Sequence, residues 1–119
     1  MSVSTLAYRS EITWAPLCGL EDLVAHSGVV AWHQGQQVAL FYLPGQPHEL
    51  YALDNRDPRS GANVIGRGIV GHLGGQPVVA APLYKQHFSL IDGHCLEDPG
   101  QSLRTWPVRL VSGQVEIGG

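Results

Sequence analysis

Apolar positions along this chain fall in short runs separated by glycine, proline and small polar residues. Thr13-Trp14-Ala15-Pro16-Leu17 reads as a first strand that proline ends. Gly28–His33 and Gln37–Leu43 are rich in β-branched and aromatic residues, and Gln34-Gly35-Gln36 between them reads as a tight hairpin turn. Glu49–Leu53 alternates polar and apolar positions over a strand length. Ile69–Leu73 and Pro77–Ala80 flank Gly74-Gly75, a second hairpin. Phe88–Ile91 is followed by Asp92-Gly93, a strong turn signal. Thr105–Val111 and Gln114–Ile117 flank Ser112-Gly113. The pattern predicts about eight or nine short strands with a turn about every ten residues, the spacing of an all-β antiparallel sandwich or barrel. Only Gly19–Ala25 suggests a helix, and a short one.

Length adds that 1–119 forms a single domain with its core over about 12–118. A chain of that size buries roughly two-thirds of its unfolded surface without needing metal or disulfide staples. The formal charge of −3, with few charges of either sign, argues against a nucleic-acid partner and against a polybasic membrane-surface protein. No segment approaches the roughly 20 apolar residues that span a bilayer. The opening Met1–Glu11 stretch lacks a basic region followed by an apolar run, so the expected location is the cytoplasm. Cys18 and Cys95 are then expected as free thiols.

Two segments carry a more specific message. Asp57-Pro58-Arg59-Ser60-Gly61-Ala62 and Ala81-Pro82-Leu83-Tyr84-Lys85-Gln86-His87-Phe88-Ser89-Leu90 resemble the two cluster-binding loops of Rieske proteins, C-P-H-x-G-A and C-P-x-H-x-x-x-F-x-L. The framework residues match, but Asp57 and Ala81 stand at the cysteine positions and Arg59 and Tyr84 at the histidine positions. A Rieske centre takes two thiolates on one iron and two imidazoles on the other. Arg does not ligate, Ala has no donor, and Asp and Tyr offer only hard oxygen. The runs Leu53–Gly71 and Pro77–Leu90, with Cys95–Asp98 and Pro107–Leu110, are similar to the small subunits of the assimilatory NAD(P)H-dependent nitrite reductases, and the resemblance spans Trp14 to Ile117. It implies a Rieske-like β-fold without cluster ligands and a part in the six-electron reduction of nitrite to ammonium. It also implies a large catalytic subunit as partner, which carries FAD, a [4Fe–4S] cluster and siroheme and uses NAD(P)H. On that reading this chain has no catalytic centre, cofactor or metal of its own, and Arg56, Arg59, Tyr84, Lys85, Gln86 and His87 are the candidate docking residues. With no metal to tie the loops, Asp57 is expected to pair with Arg59, Lys85 or Arg56, with Tyr84 filling volume.

The remaining motifs are weaker. Gly66-Arg67-Gly68-Ile69-Val70-Gly71 fits G-x-G-x-x-G by letter but has no βαβ unit around it. His87 and His94, two of six histidines, straddle Asp92-Gly93 without a third ligand at zinc-like spacing. Cys95 beside His94 points to the opposite face of a strand, and Ser60 has no histidine nearby. Trp14, Trp32 and Trp106 read as core or sheet-edge anchors. Two competing functions stand against the leading one: an electron-carrying [2Fe–2S] ferredoxin with unexpected ligands, and a β-sandwich binding module unrelated to nitrite reduction.

Overall fold

In the computed structural model, which describes residues 12–46 and 48–119, the apolar runs become ten strands. They are β1 (Trp14–Gly19), β2 (Ser27–His33), β3 (Gln36–Tyr42), β4 (Leu50–Asp54), β5 (Ile69–Leu73), β6 (Gln76–Ala80), β7 (His87–Ser89), β8 (Thr105–Trp106), β9 (Val108–Val111) and β10 (Gln114–Gly118). The 1–11 stretch, read above for a targeting signal, lies outside the described residues. Three antiparallel sheets result, ordered β1-β10-β9, β2-β3-β4-β8 and β5-β6-β7.

Three hairpins share one mechanism. Gln34-Gly35, Gly74-Gly75 and Ser112-Gly113 each link strands whose flanking residues pair directly, and both residues of each loop have positive φ. That is the two-residue turn whose twist matches the strands it joins. The sequence reading placed all three.

The core explains why β3 is apolar almost throughout. Ala39, Phe41 and Leu43 pack with Leu53, Val79, Phe88 and Leu90 on one side. Val38 and Leu40 pack with Trp106, Val115 and Ile117 on the other. β3 is thus buried on both faces within the middle β2-β3-β4-β8 sheet, so it reads as a near-continuous hydrophobic run rather than an alternation.

Several expectations are corrected. Pro16 does not end β1: the strand runs on to Gly19, with a register shift between Pro16 and Cys18. β1 is an edge strand, where a missing N–H costs no ladder bond. Pro107 splits the predicted Thr105–Val111 strand into β8 and β9, which belong to different sheets. The predicted helix at 19–25 shrinks to a single 3-10 turn, Leu20–Asp22. Trp106 is buried and donates through Nε1 to Asp54 Oδ1 at 2.9 Å. Trp32, on edge strand β2, is instead 66 % exposed.

Candidate functional site

The two Rieske-like segments become two loops. The first, residues 55–64, leaves β4 and returns into a 3-10 turn, Ile65–Arg67. The second, residues 81–86, joins β6 to β7. The structure brings them together: the Arg59 guanidinium carbon sits 4.6 Å from the centre of the Tyr84 ring.

The first loop is closed by backbone bonds and by two buried polar residues. Asp57 N–H donates to the Ala62 carbonyl and Gly61 N–H to the Asp57 carbonyl, both at 2.8 Å. Asp57 is fully buried. Its Oδ1 accepts the Arg59 N–H at 2.8 Å, and Ser60 Oγ accepts the Ala62 N–H at 3.1 Å. Asn55, which the sequence reading passed over, accepts the Gly66 N–H on Oδ1 at 2.7 Å and donates from Nδ2 to Gln37 Oε1 at 2.8 Å. Gly66 is required there, because a Cβ would lie 2.7 Å from Val30 Cγ2 and 3.2 Å from Asn55 Oδ1. Its nearest sequence signal was an asparagine at a strand end, where turn chemistry begins.

The second loop closes through the Ala81 N–H to the Gln86 carbonyl at 2.8 Å. Tyr84 and Lys85 take φ of 62° and 51°, a left-handed conformation that costs roughly 1–2 kcal/mol per non-glycine residue.

The expected ion pair is corrected. Among the described residues Asp57 has no cationic partner; one oxygen caps the turn, and Oδ2 is buried with no hydrogen-bond partner. Tyr84 does not fill volume between the loops, since it is 62 % exposed under Arg59. Of the candidate docking residues, Arg56, Arg59, Tyr84 and Lys85 are exposed and His87 is half-buried. Gln86 is buried, its Oε1 unpartnered.

The four ligand positions do not fit a [2Fe–2S] centre. Ala81 is buried and has no donor, Arg59 is a fixed cation, and Asp57 is occupied with backbone amides. Tyr84 offers a phenol in place of imidazole. This set supplies neither the two thiolates for one iron nor the two imidazoles for the other.

The other candidates resolve separately. His87 Nδ1 pairs with Glu97 Oε2 at 2.6 Å and His94 Nδ1 pairs with Asp92 Oδ1, so each imidazole faces a carboxylate rather than the other. No group of three metal-ligating side chains occurs among the described residues. Cys18 and Cys95 are free. Burial pushes the Cys95 thiol up; burial, with Asp22 and Glu21 alongside, does the same to Cys18. Raised thiols are poor nucleophiles. The G-x-G-x-x-G letters span the 3-10 turn and β5, with no helix to receive a pyrophosphate. A cleft of about 630 Å³ is open and lined mainly by apolar side chains such as Leu50, Leu90, Ile91 and Val108.

A family model described as a Rieske-like [2Fe-2S] domain matches residues 13–118. The small subunit of the NADH nitrite reductase of Salmonella typhimurium is 37 % identical over 106 residues, covering 89 % of this chain and 97 % of that protein. A nitrite reductase [NAD(P)H] large subunit of Klebsiella oxytoca is 41 % identical over 105 residues, covering 88 % of this chain but only 11 % of that much longer protein. The solution structure of the E. coli protein NirD superposes with a TM-score of 0.81 at 33 % identity, covering 91 % of this chain and 97 % of the other.

Proposed function

The chain belongs to the Rieske-like family of nitrite reductase small subunits, and from that premise we propose that it serves an NAD(P)H-dependent nitrite reductase by contact with the large catalytic subunit rather than by carrying electrons. The observation that carries this reading is the donor set of the two loops. Asp57, Arg59, Ala81 and Tyr84 keep the loop architecture and lack the ligands. What the loops still present is an exposed tip, with Arg59 stacked on Tyr84 and Lys85 beside it. Loops held on a rigid scaffold are common carriers of function.

The Klebsiella oxytoca relative supports the same arrangement. There a segment similar to this chain lies inside a protein named as the large subunit, so the domain and the rest of that subunit share one polypeptide. We assign FAD, the [4Fe–4S] cluster, siroheme and the NAD(P)H site to the large subunit, and docking to Arg56, Arg59, Tyr84, Lys85 and the partly open His87. The location we propose is the cytoplasm, without nucleic-acid or membrane partners; no helix among the described residues is long and apolar enough to cross a membrane.

The test is co-purification. Deleting this chain is expected to lower the amount or the NAD(P)H-dependent nitrite turnover of the large subunit, and the isolated chain is expected to be colourless and free of iron and acid-labile sulfide. Unchanged complex and activity after deletion would end the reading, as would stoichiometric iron in the anaerobically isolated chain.

A further inference from the structure

Trp32 is the largest apolar side chain left in the open, 66 % exposed on edge strand β2, and Val30 on the same side of that strand is 46 % exposed. Their neighbours Val29 and Ala31 face the core. The 3-10 turn Ile65–Arg67 lies against β2 beside Val30, close enough that a Cβ on Gly66 would clash with it. That turn carries exposed Arg67 and leads into Ile69, 78 % exposed. On its other flank Trp32 shares a cleft of about 280 Å³ with Arg56, Asp54 and Asn63. The exposed side chains on and beside β2 make up a strip: Ile69, Arg67, Val30, Trp32, Arg56.

The charge distribution says what fits the strip. Arg104 lies over the Trp106 ring, its guanidinium carbon 3.7 Å from the centre, and Arg109 pairs with Glu116 at 2.7 Å. Arg56, Arg59, Arg67 and Lys85 make no ion pair with any described residue, and all four lie between residues 56 and 85. Among the described residues, four of the five Lys and Arg side chains without an ion pair thus fall in the 56–85 segment that holds the loop tip and the turn beside β2, the fifth being Arg104, in a chain of net charge −3. Exposed Trp flanked by Arg is the composition of binding hot spots.

We infer that this strip is a second docking element, separate from the loop tip, in which the Trp32 indole inserts into an apolar notch rimmed by carboxylates on the large subunit; this rests on the partner proposed above. Arg56, which belongs to the first loop and lines the Trp32 cleft, joins the two elements into one footprint.

The experiment titrates the full chain against purified large subunit. Trp32→Ala is expected to weaken binding at least about tenfold, equivalent to about 1.4 kcal/mol, through faster dissociation. Arg67→Glu is expected to slow association, more at low salt than at high. In the wild-type complex, the emission contributed by Trp32 (the difference from Trp32→Phe) shifts to the blue and resists acrylamide quenching; this readout holds even if Trp32→Ala folds poorly. Wild-type affinity in both Trp32→Ala and Arg67→Glu, with binding lost in Arg59→Glu/Lys85→Glu, overturns the strip and leaves the partner reading standing. Loss of a homodimer in Trp32→Ala without loss of large-subunit binding also overturns it, giving the indole to a second copy. No binding by the wild type removes the partner reading itself, and the strip with it.

Discussion

Asn55 and Asp57 do for the first loop what a metal does in a cluster-binding relative: they fix a long excursion with a few directional bonds. Asn55 holds Gly66 and Gln37 from opposite ends of one amide. Asn55→Ala leaves a buried N–H and a side-chain oxygen unpaired, at about 1–3 kcal/mol each when fully buried. A loss of about 2–4 kcal/mol in unfolding free energy is expected from denaturant titration, with the m-value unchanged. Asp57 makes the opposite case. Its Oδ1 is used and its Oδ2 is buried without a partner, so part of its desolvation is uncompensated. Asp57→Asn keeps the bond to Arg59 N–H and removes the buried charge, and is expected to match or exceed wild-type stability. Asp57→Ala is expected to lose about 1 kcal/mol. An Asp57→Asn variant less stable than Asp57→Ala would show that the carboxylate has a partner after all. Of these two residues only Asp57 was legible. Asp-Pro-Arg-Ser carries the local signal of an Asp that accepts an amide two residues on, whereas the ion pair expected for it rests on the need to tie the two loops without a metal. Asn55 was not legible, because its partners lie 18 and 11 residues away.

Elements were legible where a local rule decides them and obscure where a long-range contact does. The three glycine-containing hairpins follow from turn chemistry alone. Proline at 16 and 107 has two different outcomes because one sits on an edge with a register shift and the other at the corner between sheets; the residue does not say which. The 81–86 loop hides its geometry too, since Tyr84 and Lys85 adopt positive φ without being glycine or asparagine. Lys85→Gly relieves that conformation at the cost of a more flexible unfolded chain. It is expected to raise stability by up to about 1 kcal/mol while weakening binding of the large subunit, so thermal melting and affinity move in opposite directions. The turn after β7 answers to acid. Hydrogen bonds from the His94 ring and amide hold the Asp92 carboxyl below the usual range. Partial burial raises Glu97, but the His87 amide and ring outweigh it, so that carboxyl is lowered as well. Groups lowered in the folded state stabilise above the ordinary carboxylate value of about 4 and lose that contribution as pH falls through the folded values. The thermal midpoint is therefore expected to drop below about pH 4, and Asp92→Asn with Glu97→Gln should flatten that drop in a pH series of melts.

On the scale of the whole molecule, the middle sheet supplies a rigid floor and the outer two sheets supply different surfaces. The β1-β10-β9 side meets solvent with Glu21 and Asp22 exposed on the 3-10 turn after β1. The end built from the two loops and the Ile65–Arg67 turn carries four of the five described cations without an ion pair, Arg56, Arg59, Arg67 and Lys85, with Asp98 close enough to Arg59 to feel its charge. A net charge of −3 conceals that separation, which is why composition alone argues only against nucleic acid and a polybasic contact with membranes, and does not locate the cations. A domain polarised this way approaches an acidic surface in one orientation, and the field it uses extends only about a Debye length, about 10 Å at 0.1 M salt. Charge reversal should then act on encounter more than on residence. Arg59→Glu combined with Lys85→Glu is expected to slow association with the large subunit by about tenfold or more near 50 mM salt, and the mutant and wild-type rates should converge near 0.5 M, where screening shortens the reach to a few ångströms. Both positions are exposed, so melting of the double variant should stay close to wild type. Stopped-flow association across that salt range decides the matter: parallel salt dependences for mutant and wild type would place the loop tip outside the contact, whatever the rest of the footprint proves to be.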